Sequence, residues 1–127
     1  LWHSRIKNVE VRHSDFEDIF EEAKRGDVIY CDPPYVHSQT ILYGAQSFSL
    51  ERLYKAVDRA TSKGVFVLLS IDGTKKSGST VCDVKTPKQL FKRCVYVNCG
   101  RSMLRRFQLK DRTLESEVVS DRLLLNW

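Results

Sequence analysis

A strand–helix–strand order constrains the fold of this chain more than any other feature. The apolar run Asp27–Cys31 predicts a buried strand, and Val65–Ile71 is a continuous apolar run typical of a parallel strand covered on both faces. Between them Ser49 can cap a helix that ends at Gly64. The apolar stripe of this helix consists of Leu50, Leu53, Tyr54, Val57 and Ala60. The order predicts an α/β fold with a mostly parallel sheet.

Two further elements are predicted upstream. Asn8–His13 alternates between apolar and polar residues, which indicates a short strand. Ser14 and Glu17 have the spacing of a capping box, and apolar residues then recur at helical intervals as far as Gly26, where a glycine cap belongs. The upstream order is therefore also strand, helix, strand.

The second half of the chain predicts shorter elements. Asp72–Lys85 reads as a loop, and Thr86–Phe91 as a short helix. Val95–Asn98 and Glu117–Trp127 are predicted strands joined by the long basic loop Arg101–Arg112. Two terminal strands joined in this way indicate an antiparallel hairpin at the sheet edge.

The length of 127 residues suits a single domain, and no stretch approaches the roughly 20 apolar residues that span a bilayer. Because the chain begins at Leu1 and runs straight toward a strand, we expect it to be a piece of a longer protein. The four cysteines form no C-x-x-C pair, and the three histidines show no ligand spacing. We therefore expect a reduced, cytoplasmic protein without a metal site or a membrane partner.

Charge is distributed unevenly along the chain. Residues 1–50 carry five basic and eight acidic side chains, a net charge of −3, whereas residues 51–110 carry fourteen and four, a net charge of +10. A basic middle is typical of a protein that binds a polyanion, although lysine-rich helices and loops are also common as solvated faces.

The strand Asp27–Cys31 ends in Asp32, Pro33, Pro34 and Tyr35. Prolines cannot donate to a sheet, so they force the chain out of it and leave a rigid segment at the carboxyl end of a strand, where open α/β sheets bind ligands. The Asp32 carboxylate and the Pro33 carbonyl can accept the two N–H bonds of an exocyclic amino group, while Tyr35 stacks on the base. Such a clamp makes the amino nitrogen more nucleophilic by orientation and electrostatics. A base within a duplex must first be flipped out.

These residues resemble motif IV of the amino-methyltransferases that use S-adenosylmethionine, and the leading Asp resembles the Dam-like, adenine-specific DNA enzymes. Ser14-Asp15-Phe16 is similar to the family's acidic-aromatic motif. The helix opening at Phe48 and the strand Val67–Asp72 resemble the elements that follow motif IV, and Arg101-Ser102 with Glu117–Trp127 resembles the closing loop and strand.

The resemblance implies a Rossmann-like sheet, S-adenosylmethionine as cofactor and double-stranded DNA as partner. By the resemblance, Asp15 and Phe16 hold the cofactor's adenine and Asp32 also contacts its methionine part. For Asp15, a favourable charge at the amino terminus of the helix is an equal alternative. Phosphate contacts by Arg101, Arg105 and Arg106 are weighed equally against a solvated loop.

The chain departs from the family because it has no Phe-x-Gly-x-Gly loop. We therefore expect residues 1–127 to be the carboxyl-terminal half of a catalytic domain, inactive alone, without the cofactor loop and the target-recognition region. The predicted function is transfer of a methyl group to the 6-amino group of a flipped adenine, in a restriction–modification pair, a phage or a housekeeping system. The alternatives are a cytosine 4-amino or RNA amino-methyltransferase, and an inactive nucleic-acid-binding remnant.

Overall fold

The computed structural model of the chain describes residues 2–34, 48–75, 80–81, 84–101 and 118–127. These form one mixed sheet with helices against one face, which is a mixed α/β architecture. The helices are α1 (Trp2–Arg5), α2 (Phe16–Glu22) and α3 (Leu50–Ser62), and the strands are β1 (Val28–Cys31), β2 (Phe66–Lys75), β3 (Thr80–Val81), β4 (Arg93–Arg101) and β5 (Val118–Leu125).

The sheet has the strand order β1-β2-β5-β4, and the short β3 pairs with β2. Only β1 and β2 pair in parallel, with Val28 opposite Phe66, whereas β2–β3, β2–β5 and β4–β5 are antiparallel. The prediction of a mostly parallel sheet is therefore wrong for the described residues. The antiparallel terminal hairpin is confirmed, but β5 lies inside the sheet because it pairs with both β2 and β4.

The core lies between the sheet and the two longer helices. Ser49 caps α3 as predicted, its hydroxyl accepting the N–H of Arg52 at 3.4 Å. The buried residues of α3 fall at helical spacing, and every second residue of β2 faces them. The fully or almost fully buried side chains of this layer are Leu53, Ala56, Val57, Ala60, Val65, Val67, Leu69 and Ile71. The apolar stripe of α3 and the alternating apolar residues of β2 are buried in the same layer, which explains why this helix packs on this strand.

The outer strands of the sheet expose apolar side chains on the opposite face. In β1, Val28 and Tyr30 are exposed by 63% and 61%, and in β4, Val95 and Val97 are exposed by 47% and 43%. The registers place these residues on one face with Phe66, whose ring meets Trp127 edge-on at 5.2 Å. Toward the end of β2 the same face is buried, at Ser70 and Asp72.

Several sequence-based boundaries are corrected at the ends of elements. Residues 9–13 form no strand; Val11 is 92% exposed, so its alternation with polar residues reflects no burial. The cap of α2 is Asp15 rather than Ser14, because the Asp15 carboxylate accepts the Glu17 N–H at 3.0 Å. The predicted helix at 86–91 is a turn closed by the Leu90 N–H on the Pro87 carbonyl. The predicted loop from Asp72 instead begins as the end of β2.

A buried asparagine ties the end of the chain to the core. The Asn126 side-chain oxygen accepts the Val67 N–H at 2.8 Å, and its amide donates to the Val65 carbonyl at 3.0 Å and to the Thr61 hydroxyl at 2.7 Å. Asn126 is only 4% exposed, so water cannot replace these partners freely. It thereby links the end of β5 to α3 and β2.

Replacing Asn126 by Ala is expected to destabilise the protein by about 2–3 kcal/mol, because the buried Val67 N–H and Val65 carbonyl lose their side-chain partner. The free energy of unfolding from urea denaturation measures this. The matched control is Asn98→Ala, which removes an exposed amide that accepts the Gly100 N–H at 2.8 Å and is expected to change stability by less than about 0.5 kcal/mol. Equal losses of unfolding free energy in the two variants would contradict the stabilising role of the Asn126 hydrogen bonds.

Candidate active site

A pocket of about 330 Å³ lies at the carboxyl end of β1 and between the beginnings of α2 and α3. We call it the β1 pocket. Its volume lies in the lower part of the range of small-molecule sites. Its described lining consists of Phe16, Ile19, Phe20, Ile29, Tyr30, Cys31, Asp32, Pro33, Pro34, Phe48 and Leu53. The pocket is thus aromatic and aliphatic, with one carboxylate at the strand end.

The local sequence explains why the pocket opens at this point. β1 ends at Cys31, and Pro33 and Pro34 have no N–H with which to continue pairing to β2. Asp32 is exposed, while both prolines are half-buried. The parallel partner β2 continues well beyond the end of β1, so the Asp32–Pro34 segment diverges from the sheet at its edge. This geometry places a carboxylate and proline backbone at the pocket wall.

The aromatic wall is formed by three phenylalanines from α2 and the start of α3. The Phe16 ring meets Phe20 at 6.3 Å and Phe48 at 6.1 Å, both edge-on. Phe20 is buried, whereas Phe16 and Phe48 are half-buried. Edge-on contacts of this kind favour defined ring positions. The three rings thus form an aromatic wall in which neighbouring rings are inclined to one another.

A cluster of charges stands beside this wall. Arg52 of α3 donates to both carboxylate oxygens of Asp15 at 3.0 Å and to Glu17 at 2.7 Å. Arg59, about two turns further along α3, reaches Glu17 at 3.3 Å and Glu21 at 3.2 Å. The guanidinium of Arg52 also lies over the Phe16 ring, 5.1 Å from its centre. The start of α2 is thus held to α3 by charge and by ring contact.

The pKa values of the acidic members follow from these contacts. The Glu17 N–H and then Arg52 lower the pKa of Asp15, and Arg52 chiefly lowers the pKa of Glu17. In return, Glu17 and Asp15 raise the pKa of Arg52. At neutral pH all three groups are charged. Burial acts in the opposite sense on the thiol of Cys31, raising its pKa to about 12.

The contribution of Arg52 to stability is expected to disappear in acid. Carboxyl groups whose folded pKa is lowered stabilise the fold fully above their unfolded pKa, and this stabilisation is lost as the pH falls through the folded pKa. The melting temperature of Arg52→Ala should therefore lie below that of the wild type from neutral pH to about pH 5. The difference should narrow toward pH 3 or below, where only the contact of Arg52 with the Phe16 ring remains. A difference that is independent of pH would contradict the ion-pair assignment. Lys55→Ala is the control. It removes an exposed pair with Glu51 within α3, so it should lower the melting temperature less than Arg52→Ala does.

The structure brings together part of the predicted site. Phe16, Asp32, Pro33 and Pro34 line one pocket, although Phe16 and Asp32 are separated in sequence by a helix and a strand. Asp15 stands at the amino terminus of α2 as its cap and is not part of the lining, and its role toward a cofactor stays a prediction.

Other predicted site residues fall at or beyond the described ranges. Tyr35, Arg105 and Arg106, like the predicted loop Val36–Ser47, lie outside the described residues. Arg101 is the last residue of β4, opposite Val118. In the part of the chain that is described, no group of three or more His, Cys, Asp or Glu side chains is placed to hold a metal ion. Nor is any described helix long and apolar enough to cross a bilayer.

Sequence reasoning missed the partners of Asp15. Arg52 lies 37 positions downstream of Asp15, so local spacing offers no signal for the contact. A weak signal exists in the charge pattern, because α2 is acidic and α3 carries Arg52 and Arg59 one helical repeat apart. Complementary charge on two predicted helices favours their packing but does not select the pair.

Comparison with known proteins identifies the family. The family of D12 class N6 adenine-specific DNA methyltransferases matches residues 1–97 of this chain. The chain therefore belongs to this family, which confirms the resemblance inferred from Asp32–Tyr35 and its neighbours.

A curated relative is similar over part of its length. The chain is 39% identical over 70 residues to the type II methyltransferase M1.LlaDCHI of Lactococcus lactis subsp. cremoris. This alignment covers 50% of the chain and 25% of the relative, so the matched part spans about a quarter of that protein's length. No solved structure matches the chain.

Proposed function

We propose that this chain is the carboxyl-terminal, catalytic part of a DNA adenine methyltransferase. It transfers a methyl group from S-adenosylmethionine to the 6-amino group of an adenine flipped out of double-stranded DNA. The observation that carries the proposal is the β1 pocket, in which Asp32, Pro33 and Pro34 meet Phe16 in a member of an N6 adenine-specific family. The described sheet would form one side of a larger Rossmann-like sheet, in a cytoplasmic protein.

The described part of the pocket fits a planar amino-purine and the cofactor's adenosine end. Its aromatic and aliphatic lining suits a flat ring, and carboxylates stand at its edge in Asp32 and beside it in Asp15. Carboxylates accept N–H bonds and favour the positive charge of a sulfonium. In this proposal Asp15 and Phe16 hold the cofactor's adenine, and Asp32 also contacts its methionine part.

The chemical work of the residues is orientation and charge stabilisation. When bound, S-adenosylmethionine supplies an electrophilic methyl group on a positively charged sulfur. Asp32 and the Pro33 carbonyl accept the two N–H bonds of the target amino group, and Tyr35 stacks on its ring. Asp32 need not be a strong base, because the amino proton would become acidic only once the nitrogen carries its new substituent, and the Asp32 carboxylate would then accept it. Arg101, Arg105 and Arg106 are assigned to DNA phosphates.

Identification of the methylated nucleoside tests the proposal. DNA is incubated with the longest natural form of the protein and S-adenosylmethionine labelled in the methyl group, then digested to nucleosides. Label in N6-methyldeoxyadenosine is expected. Label in N4-methyldeoxycytidine, or in RNA supplied in a parallel reaction, would transfer the proposal to the alternative amino-methyltransferases. A salt-dependent affinity for DNA that does not change when S-adenosylmethionine is added would indicate a nucleic-acid-binding remnant.

A further inference from the structure

Arg52 connects two parts of the β1 pocket wall that are far apart in sequence. It lies in the first turn of α3, and its guanidinium reaches back to Asp15 and Glu17 at the start of α2. Its side chain is 39% exposed, so the contacts form at the protein surface rather than in the core. Exposed ion pairs contribute little to stability. The importance of Arg52 therefore lies in the two groups that it orients, the Asp15 carboxylate and the Phe16 ring.

The first group that Arg52 holds is the Asp15 carboxylate. Oδ1 accepts from the Glu17 N–H and from Arg52, and Oδ2 accepts from Arg52, all at 3.0 Å. A carboxylate offers about four acceptor positions. The contacts made by described residues thus leave one position on Oδ2, while the orientation of the carboxylate is set by two donors from different elements.

The second group is the Phe16 ring, which lines the pocket. Arg52 lies over this ring at 5.1 Å from its centre, and the ring edge meets Phe48, two residues before α3. A guanidinium over a ring face attracts it electrostatically and limits its tilt. One side chain therefore fixes both the carboxylate and the ring of the Asp15-Phe16 pair.

We propose that Arg52 is a positioning residue for the recognition of the cofactor's adenine. It orients the free acceptor of Asp15 toward the exocyclic amino group while holding the Phe16 ring against the pocket. This inference rests on the proposed function, because it assigns Asp15 and Phe16 to the cofactor. Arg52 itself does not line the pocket in the described structure and acts through these two neighbours.

The chain provides a matched control in Arg59. Arg59 lies on the same helix and pairs with Glu17 at 3.3 Å and Glu21 at 3.2 Å, so it also joins α3 to α2. Its recorded ion pairs are with these two carboxylates and not with Asp15. If helix docking alone mattered, removal of either arginine would have the same effect on ligand binding.

The test compares two ligands in the longest natural form of the protein. S-adenosylhomocysteine carries the 6-amino group, and S-inosylhomocysteine carries an oxo group in its place. Their dissociation constants are measured by calorimetry, or by NMR up to millimolar ligand. The wild type and Arg59→Ala are expected to prefer the amino ligand by roughly tenfold, the factor that corresponds to one hydrogen bond. In Arg52→Ala most of this preference should be lost, and Arg52→Lys should be intermediate.

The outcomes separate this inference from the proposed function. A preference retained in Arg52→Ala, or affinity for both ligands lowered by the same factor, overturns the positioning role and leaves the cofactor site intact. Failure of the wild type and Arg59→Ala to bind either ligand overturns the proposed cofactor site and this inference with it. Equal binding of both ligands by the wild type overturns the assignment of Asp15 to the amino group.

Discussion

Replacing Asp32 by Ala is expected to abolish methylation by the longest natural form of the protein. Asp32 supplies one of the two acceptors of the proposed amino-group clamp, and removal of a single preorganised group of this kind lowers turnover by roughly 10²–10³-fold or more. Asp32→Asn retains the size but not the charge, and its amide can accept only through oxygen. We expect it to be impaired nearly as strongly. Single-turnover methylation of duplex DNA measures the effect on the chemical step.

The control for this experiment is Asp27→Asn. Asp27 precedes β1 and accepts the Lys24 N–H at 2.8 Å, away from the pocket lining. The Asp27→Asn variant should retain methylation activity within a few-fold of the wild type. Full methylation by Asp32→Ala would refute the proposed role of Asp32, whatever family the chain belongs to.

Truncating Leu69 to Ala should produce a large loss of stability. Leu69 is fully buried in β2 and faces the α3 layer. Removing a buried leucine side chain costs about 2–5 kcal/mol, because apolar burial is lost and a cavity remains. This is a large fraction of the roughly 5–15 kcal/mol that stabilises a domain. Urea unfolding followed by circular dichroism measures the loss.

The neighbouring residue provides the comparison. Leu68 points to the opposite face of β2 and is only half-buried. Leu68→Ala should therefore lower the free energy of unfolding by only about 1 kcal/mol or less. If Leu68→Ala proved the more damaging variant, the assignment of the buried face would be reversed.

The parts of the fold that were predictable depend on local signals. The capping hydroxyl of Ser49 and the continuous apolar run after Gly64 define α3 and β2, and the prolines after Asp32 define the end of β1. Each signal acts over a few residues and needs no knowledge of the rest of the fold. For the same reason the sequence located the Asp32–Pro34 wall of the pocket.

The remaining features depend on contacts between distant residues. The antiparallel pairing of β5 with β2 joins segments that are far apart in the chain, and residue periodicity does not encode the direction of such a pairing. The alternation around Val11 resembles that of a strand, but no described partner pairs with it. Arg52 could equally have been a solvated residue of α3, since its position on the helix does not reveal that Asp15 lies within reach.

The protonated thiol of Cys31 bears on the chemical selectivity of the proposed reaction. Cys31 lines the same pocket as Asp32, and a thiolate there would compete with an amino group for an electrophilic methyl group, with self-methylation of the protein as the result. With a pKa of about 12, the thiolate fraction near pH 7 is on the order of 10⁻⁵. Burial thus leaves the strand-end cysteine almost without nucleophilic character. In the proposed reaction, the pocket would thereby be protected from methylation of its own thiol.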